Sequence, residues 1–529
     1  MIRKSVYAAL LAGSAFTWSA VAVAQDAPAG QQQEPTEPDT SDATADAAIA
    51  AAQPVDELQG KIELLQAQVE ALQEALAGIQ AAQVKVTPSW KGGPLLEDKE
   101  AGWSFKPRGR IQYDVGFVDN PDNAIVTRNI GFNTRVRRIR LGAEGTIPGG
   151  FGYKFEMDFA NAGTAFGDAI ITYAPANKPF NFTIGNHESL DGLEQISSSR
   201  FISFLERSAF NDAFINTRRI GINAGYVNKA GTLRGNVGLF AAHSIDQTFD
   251  NDGWIAAARG VWSPLWNGNQ MHFGLNFQHR NFPSNANGTP NSNAVSSPSV
   301  GQVARYRARP FSQLTDVRFV DTGNFAARSD DILGGEFIGI FKSLHVTAEG
   351  QVLRANAYDS GDGTAGLDQF SGNTSVLVPT GNPTFWGGYV EAGYFFTGET
   401  RGYKNGLWDR TKVLKPFSKG GWGALQLNGR VDYLDLNDKK LQNGCLNNFT
   451  TGLTCTTSID HGRGGTQLGL LGSLVWLPED YVRFYLQYAH ARISGGPSAI
   501  LVEPGTPAGE RDDVDYHVNT IQARAQVDF

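Results

Sequence analysis

Residues Phe132–Phe159 read FNTRVRRIRLGAEGTIPGGFGYKFEMDF. From Gly152 onward the apolar residues Tyr153, Phe155, Met157 and Phe159 fall on every second position, with Lys154, Glu156 and Asp158 between them. A strand sends successive side chains to opposite faces, so this segment has one greasy face and one charged face. The run before it sets Val136, Ile139 and Leu141 against Arg135, Arg137, Arg138 and Arg140. Its phase slips by one between Arg137 and Arg138, which marks a bulge or the rim of a sheet. Pro148-Gly149-Gly150 joins the two runs as a tight turn. This hairpin is too polar on one side for a soluble core, and its aromatic side suits lipid better than a second sheet. A soluble sandwich alternates too, with its polar face in water. A membrane barrel turns the apolar face out to lipid and the polar face in to a lumen.

The remaining chain chooses the barrel. After Pro88 the alternation recurs to the end. Arg108, Arg110, Gln112 and Asp114 oppose Ile111, Tyr113, Val115 and Phe117. His272, Asn276, Gln278 and Arg280 lie between Met271, Phe273, Leu275 and Phe277. Val482, Phe484, Leu486 and Tyr488 alternate with Arg483, Tyr485 and Gln487, and the last run ends on Val527 and Phe529. There are roughly sixteen such runs of about ten residues, the length a tilted strand needs to cross a bilayer. Trp254, Trp262, Trp422 and Trp476 fall near run ends, where interface girdles belong. Short joins (148–150, 229–231, 342–343, 478–480) alternate with long ones (281–331, 359–383, 434–464), the pattern of a barrel with one short-turn rim and one long-loop rim. The only long apolar stretch is at the extreme N-terminus, so the expected fold is an all-β transmembrane, sixteen-stranded antiparallel barrel over 103–529.

The residues ahead of it divide by composition. Residues 1–24 have a basic start, an apolar middle and Ala22-Val23-Ala24, the form of a secretory signal peptide. Residues 25–53 are an acidic Gln/Pro/Ala-rich tether with too few apolar residues to order. Within 54–84, Val55, Leu58, Ile62, Leu65, Val69, Leu72, Leu76 and Ile79 recur three and four apart, a heptad seam for a short coiled-coil helix. Gln59, Gln66, Gln73 and Gln80 sit beside the seam, so charge does not select the partner, and the seam chemistry leans toward two strands. Residues 85–102 read as a linker. Net charge is -8, most of it ahead of residue 92, so the barrel is nearly neutral and any attraction for anions depends on where its arginines point. The two cysteines, Cys445 and Cys455, flank a polar segment and suit one loop-stapling disulfide in an exported chain.

Several blocks resemble the phosphate-selective porin O and P family. They are Glu206-Arg207-Ser208, Thr397-Gly398-Glu399 followed by Tyr403, Arg138-Ile139-Arg140-Leu141-Gly142, Arg307-Ala308-Arg309-Pro310 with Val320-Asp321-Thr322-Gly323, Arg430–Leu436 and the terminal Phe529. The resemblance implies a trimeric porin of the Gram-negative outer membrane, its loops folded inward to a basic constriction reached by a ladder of arginines. It also implies contacts with outer-membrane lipid, a barrel-assembly machinery that reads Phe529, and a coiled coil projecting into the periplasm. Trimerisation is preferred over the two-strand lean of the seam. No nucleic-acid partner, cofactor, metal or enzymatic role is expected.

Anion selection needs cationic donors at a narrow point. Arginine suits phosphate because its fork makes two parallel hydrogen bonds and stays charged. The constriction candidates are Arg200 in the loop 188–216, where the spacing of Phe201/Leu205 and Phe204/Ser208 predicts a helical turn, and Arg305, Arg307, Arg309 and Arg318 in the next inward loop. Arg207 is a candidate for pairing with a carboxylate and holding its loop. The wall candidates are Arg108, Arg110, Arg138, Arg140, Arg219, Arg234, Arg259 and Arg280, with Asp114, Glu144, Glu156 and Asp158 neutralising some of them. Glu206, Arg207, Thr397, Gly398, Glu399 and Tyr403 are structural family positions. The competing reading is a general or sugar-permeable porin, for which Phe201, Tyr306 and Phe311 are the aromatics to watch. An enzyme is disfavoured: Gly-x-Ser-x-Gly is absent, and Asp191 stands where a zinc motif beginning His187-Glu188 needs its second His. The Asp/Gly-rich stretches 250–253 and 359–368 are weaker candidates for calcium.

Overall fold

A computed structural model describes residues 55–82, 89–90, 93–119, 130–160, 163–214, 217–245, 252–283, 302–362, 376–448, 452–454 and 464–529. The expected signal peptide and tether, and the first Asp/Gly-rich stretch up to Asn251, lie outside these residues. The chain divides into two compact units, Met1–Ala82 and Gln83–Phe529. In the first, one helix, α1, spans Val55–Ala82. Its central seam residues Ile62, Leu65, Val69 and Leu72 are all exposed. The heptad reading thus gives a helix with an open apolar stripe.

The second unit is a closed antiparallel barrel of sixteen strands. They are β1 Trp103–Val118, β2 Phe132–Ile147, β3 Phe151–Asp158, β4 Ala165–Tyr173, β5 Phe180–His187, β6 Arg219–Val227, β7 Leu233–Ala241 and β8 Trp254–Trp262. There follow β9 Asn269–Asn281, β10 Phe325–Phe341, β11 Leu344–Ala357, β12 Thr384–Phe395, β13 Ala424–Asp435, β14 Thr466–Glu479, β15 Val482–Ser494 and β16 Asp515–Asp528. Each pairs with its neighbours in sequence, and β16 pairs back onto β1 (Thr520 with Val118 through Asp528 with Arg110), so no edge remains. The expected linker 85–102 also contains a strand, Pro94–Asp98, which pairs with the start of β1.

The alternation read from the sequence is the barrel's inside and outside. Phe155, Ile171, Phe182, Leu275 (67% exposed) and Leu486 point outward, and Trp254, Trp262 and Trp422 stand exposed near strand ends. Such a surface is untenable in water and expected against hydrocarbon. No helix among the described residues is long and apolar enough to cross a membrane. A concavity lies on this outer face, where Gly260, Gly335, Gly350 and Gly388 leave a gap beside Trp262 and Trp386.

The phase slip in β2 is a bulge. Gln112 pairs with Arg138 and Tyr113 with Val136, leaving Arg137 as the extra residue. One extra residue resets the pleat. As a result Arg135, Arg137, Arg138 and Arg140 all reach inward partners instead of alternating between lumen and lipid.

Connections at one rim are short: 148–150, 174–179, 228–232, 263–268, 342–343 and 480–481. The exception is 396–423, which departs from the expected uniform short-turn rim. It folds into the barrel, where Trp408 packs with Leu193, Phe201, Ile338 and Ile340.

Candidate functional site

The described residues of two long-rim connections reach into the lumen: those of 188–218 (L3), between β5 and β6, and those of 282–324 (L5), between β9 and β10. L3 carries helical turns at Leu193–Ile196 and Ala209–Ala213. Residues 201–208, expected to form a helical turn, are bends instead. They are held from outside their own segment, so no local i→i+4 ladder forms. Leu205 N donates to Gln487 Oε1 at 2.8 Å, and Tyr485 Oη donates to the Ile202 carbonyl at 3.2 Å. Phe204, Leu205, Phe210 and Phe214 are fully buried. Glu194 organises the loop: its carboxylate accepts from Ser208 N (2.8 Å), Asn211 Nδ2 (3.0 Å) and Arg430 Nη2 (2.6 Å). Gly192 has φ +52°, and a Cβ there would stand 2.2 Å from Glu349 Oε1, so the loop needs glycine at this contact.

Arg207 holds L3 as expected, but by donating to the carbonyls of Glu194, Gln195 and Ser197 rather than by pairing with a carboxylate. The pairing falls to Glu206. It accepts from Arg137 Nε and Nη2 at 2.8 and 2.9 Å and from Arg524 Nη2 at 2.9 Å. Burial works to raise the Glu206 carboxyl, and Arg137 and Arg524 overrule it, holding it well below the usual carboxylate range. Arg524 also grips Asp114 with both arms, at 2.6 and 2.7 Å.

The predicted arginines separate into groups. Arg108 pairs with Glu144. Arg140 pairs with Glu156 and Asp158 at 2.7 Å each, and Arg110 lies 3.5 Å from Glu156 while donating to Ser199 Oγ at 2.7 Å. The expected neutralising acids are therefore in place. Arg138 donates to Gln112 Oε1 at 2.8 Å and makes no ion pair among the described residues. Arg200 lies 3.6 Å from Asp528, and burial, then the Arg108 charge, lowers its guanidinium to about 10, still cationic at neutral pH.

In L5, Arg305 forks onto Asp321 (2.6–3.2 Å), and Arg309 pairs with Asp212 at 3.2 Å. Burial lowers the Arg307 and Arg318 guanidiniums, Arg318 to about 10. Between L3, L5 and β2 lies a small polar cavity, bordered by Arg137, Arg207 and Arg309 with Glu206 and Asp212. The structure thus brings Arg309 and Arg207 together with Arg137, and places Arg200 in a separate group near the short-turn rim.

Two wall candidates, Arg280 and Arg259, are matched by carboxylates, and two others, Arg219 and Arg234, bond neutral acceptors. Arg280 is fully buried, forks onto Asp330 at 2.5–2.6 Å and donates to the Phe214 carbonyl, so it ties L3 to β10. Arg259 forks onto Glu336 at 2.7 Å twice. Arg219 donates to Thr217 Oγ1 and the Arg218 carbonyl. Arg234 reaches Asn405 Oδ1, in the inward turn, at 3.0 Å.

The family positions knit that turn. Glu399 accepts from Thr397 Oγ1 and Leu414 N, Gly398 takes φ +96°, and Tyr403 Oη sits 2.8 Å from His272 Nδ1. Cys445 is disulfide-bonded, while Cys455 lies outside the described residues. No group of metal-ligating side chains occurs among the described residues.

The geometry describes a barrel channel with a lined, narrowed lumen. A family profile, phosphate-selective porin O and P, matches residues 105–529. The chain belongs to this family. It is an outer-membrane porin. A Caulobacter vibrioides protein of uncharacterised role is 32% identical over 451 residues, covering 83% of this chain and 77% of its own. Porin O of Pseudomonas aeruginosa is 31% identical over 211 residues, 37% of this porin and 46% of that one. Among solved structures, an anion-selective porin from Comamonas acidovorans aligns with 12% identity and TM-score 0.43, over 81% of this chain and 100% of its own. The DcaP channel of Acinetobacter baumannii aligns with 13% identity and TM-score 0.40, over 81% and 98%.

Sequence reasoning missed Arg137, Arg401, Arg410, Arg430, Arg483 and Arg524 as site residues. Arg483 and Arg524 stand on the polar phase of strands already recognised, so the rule that nominated Arg108 applied to them as well. Arg401 and Arg410 belong to the inward turn, where the family block 397–403 was read as structural and its course into the lumen gave no signal.

Proposed function

We propose that this porin passes small inorganic anions, with phosphate or pyrophosphate preferred, by diffusion along an arginine-lined path narrowed by L3 and L5. The observation that carries this reading is the β2 bulge, which turns four arginines inward within six residues, beside Arg108 and Arg110 of β1. Guanidinium groups at a narrow point replace part of an anion's hydration and repel cations. The family's description and the relative named Porin O support the choice of anion. The aromatics that kept a sugar path open, Phe201, Tyr306 and Phe311, are buried in packing contacts, which favours the ionic reading. Export by the signal peptide, a homotrimer, a periplasmic coiled coil from α1 and recognition of Phe529 by assembly machinery complete the proposal.

The test is planar-bilayer recording. Chloride conductance should fall when phosphate is added at millimolar concentration, and combined replacement of Arg200, Arg307 and Arg309 should weaken the block. Full conductance in phosphate, or liposome swelling equally fast with sugars and anions, would point to a general diffusion porin.

A further inference from the structure

Arg483 of β15 has no role assigned above. It is 4% exposed, makes no ion pair among the described residues, and its Nε and Nη2 meet no hydrogen-bond acceptor. A buried guanidinium in this condition calls for an anionic or water partner. Its surroundings supply more positive charge. Arg483 lies 5.5 Å from the centre of the Phe201 ring, Arg410 5.4 Å and Arg200 4.9 Å. Arg401 Nη2 donates to the Phe201 carbonyl at 3.3 Å.

Four guanidiniums thus surround one residue of L3. Among the described residues two carboxylates pair with them: Asp528 serves Arg200 and Arg410, and Glu391 serves Arg401 while also holding Arg430. Arg483 follows the short turn 480–481, Asp528 ends β16, and Arg401 and Arg410 come from the inward turn 396–423, so the cluster marks the short-turn mouth. The polar cavity between L3 and L5 is lined by a different set of residues.

We infer that Arg483, with Arg200 and Arg410 around Phe201, forms a second anion subsite at the short-turn mouth that takes a small, multiply charged oxyanion of the phosphate type. This rests on the anion-porin reading above. Loss of Arg483 removes charged hydrogen bonds worth about 1.5–3 kcal/mol each, so phosphate binding should weaken roughly tenfold or more.

The experiment measures equilibrium binding of inorganic phosphate to the full-length, detergent-solubilised protein by phosphorus NMR titration, with reversal potentials recorded on the same preparations. Arg483→Gln is expected to weaken phosphate binding and Arg483→Lys to restore most of it. Arg492→Gln, which alters an outward arginine of the same strand, should change nothing. A shared far-ultraviolet circular dichroism spectrum and heat-modified gel mobility establish that the variants fold. Equal phosphate affinity in the wild type and R483Q overturns the subsite even if the pore prefers anions. Cation preference in the wild type overturns the anion-porin reading, whatever R483Q does.

Discussion

The two inner walls of this barrel use arginine in opposite ways. On the wall formed by β8 to β13, each buried guanidinium is matched by carboxylate. Arg259 has Glu336, Arg280 has Asp330, and Arg430 has both Glu194 and Glu391. On the wall formed by β15, β16, β1 and β2 the matching is uneven: Arg108 has Glu144 and Arg524 has Asp114, but other carboxylates are shared or missing. Glu156 serves Arg110 and Arg140, Glu206 serves Arg137 and Arg524, and Arg138 and Arg483 make no ion pair among the described residues. Both walls dock L3 and L5, the first through pairs such as Arg430 with Glu194, the second through neutral contacts such as Gln487 with Leu205 N and Gln522 with Ser312. The second keeps a surplus of positive charge. Residue type alone does not separate the two uses; the register of partner strands and loops does.

The largest effect should come from breaking a matched pair. Asp330→Ala leaves Arg280 buried and unpaired and takes an acceptor from Tyr306, which donates to Asp330 at 2.5 Å. Removing one partner of a buried pair costs about 3–5 kcal/mol. Equilibrium unfolding in urea should move by that amount, and an unchanged midpoint would dissolve the contrast between the walls.

Next comes the outer face. Leu275→Arg puts a cation in the middle of a lipid-facing strand, at a cost of about 2–4 kcal/mol. Bilayer refolding yield and unfolding midpoint would register it, whereas tolerance without penalty would mean that Leu275 does not face hydrocarbon.

A pH effect follows on the matched wall. Burial pushes the Asp191 carboxyl of L3 up to about 6, against the hydrogen bond that Gln351 Nε2 donates to it at 2.7 Å. The unfolded chain ionises it near the usual value of about 3.9. Docked L3 therefore holds more protons between these values. Its stability is full at low pH, declines as pH rises toward about 6, and is level above that. The protection of the Glu194 amide, bonded to Glu349 Oε2, relative to its unprotected exchange rate at each pH, should fall over that window in the wild type and stay level in Asp191→Asn.

The smallest stability effect belongs to the surplus wall. Glu156→Gln removes a shared carboxylate from a lumen that still holds Asp158 beside Arg140. Stability should fall by less than in Asp330→Ala, because Arg140 keeps Asp158 and Arg110 keeps Ser199, while the anion-to-cation permeability ratio rises. A large loss of stability with unaltered permeability would make this wall a second matched wall.

Much of the fold was legible because hydrophobic period is a local property. Phe155, Phe182 and Leu486 each announce an outward face from their own neighbours. Even the bulge could be seen, since Arg137 and Arg138 break the phase within one strand. The site was less legible because pairing is non-local. Arg280 and Arg108 look alike on their strands, yet Arg280 meets Asp330 on the neighbouring strand and the carbonyl of Phe214, 66 residues away in L3. The inward course of 396–423 was invisible for the same reason: Trp408 and Arg401 find Leu193 and Phe201 only after L3 has folded.

The account depends on surplus guanidinium charge governing passage through the lumen. The most direct measurement is the zero-current potential of the full-length protein in a planar bilayer under a potassium chloride gradient. Recorded beside it is a variant with Arg108, Arg138 and Arg483 changed to glutamine. The account predicts a potential of the sign set by chloride in the wild type, shifted toward zero in the variant. A potential set by potassium, or the same chloride potential in both proteins, would contradict it.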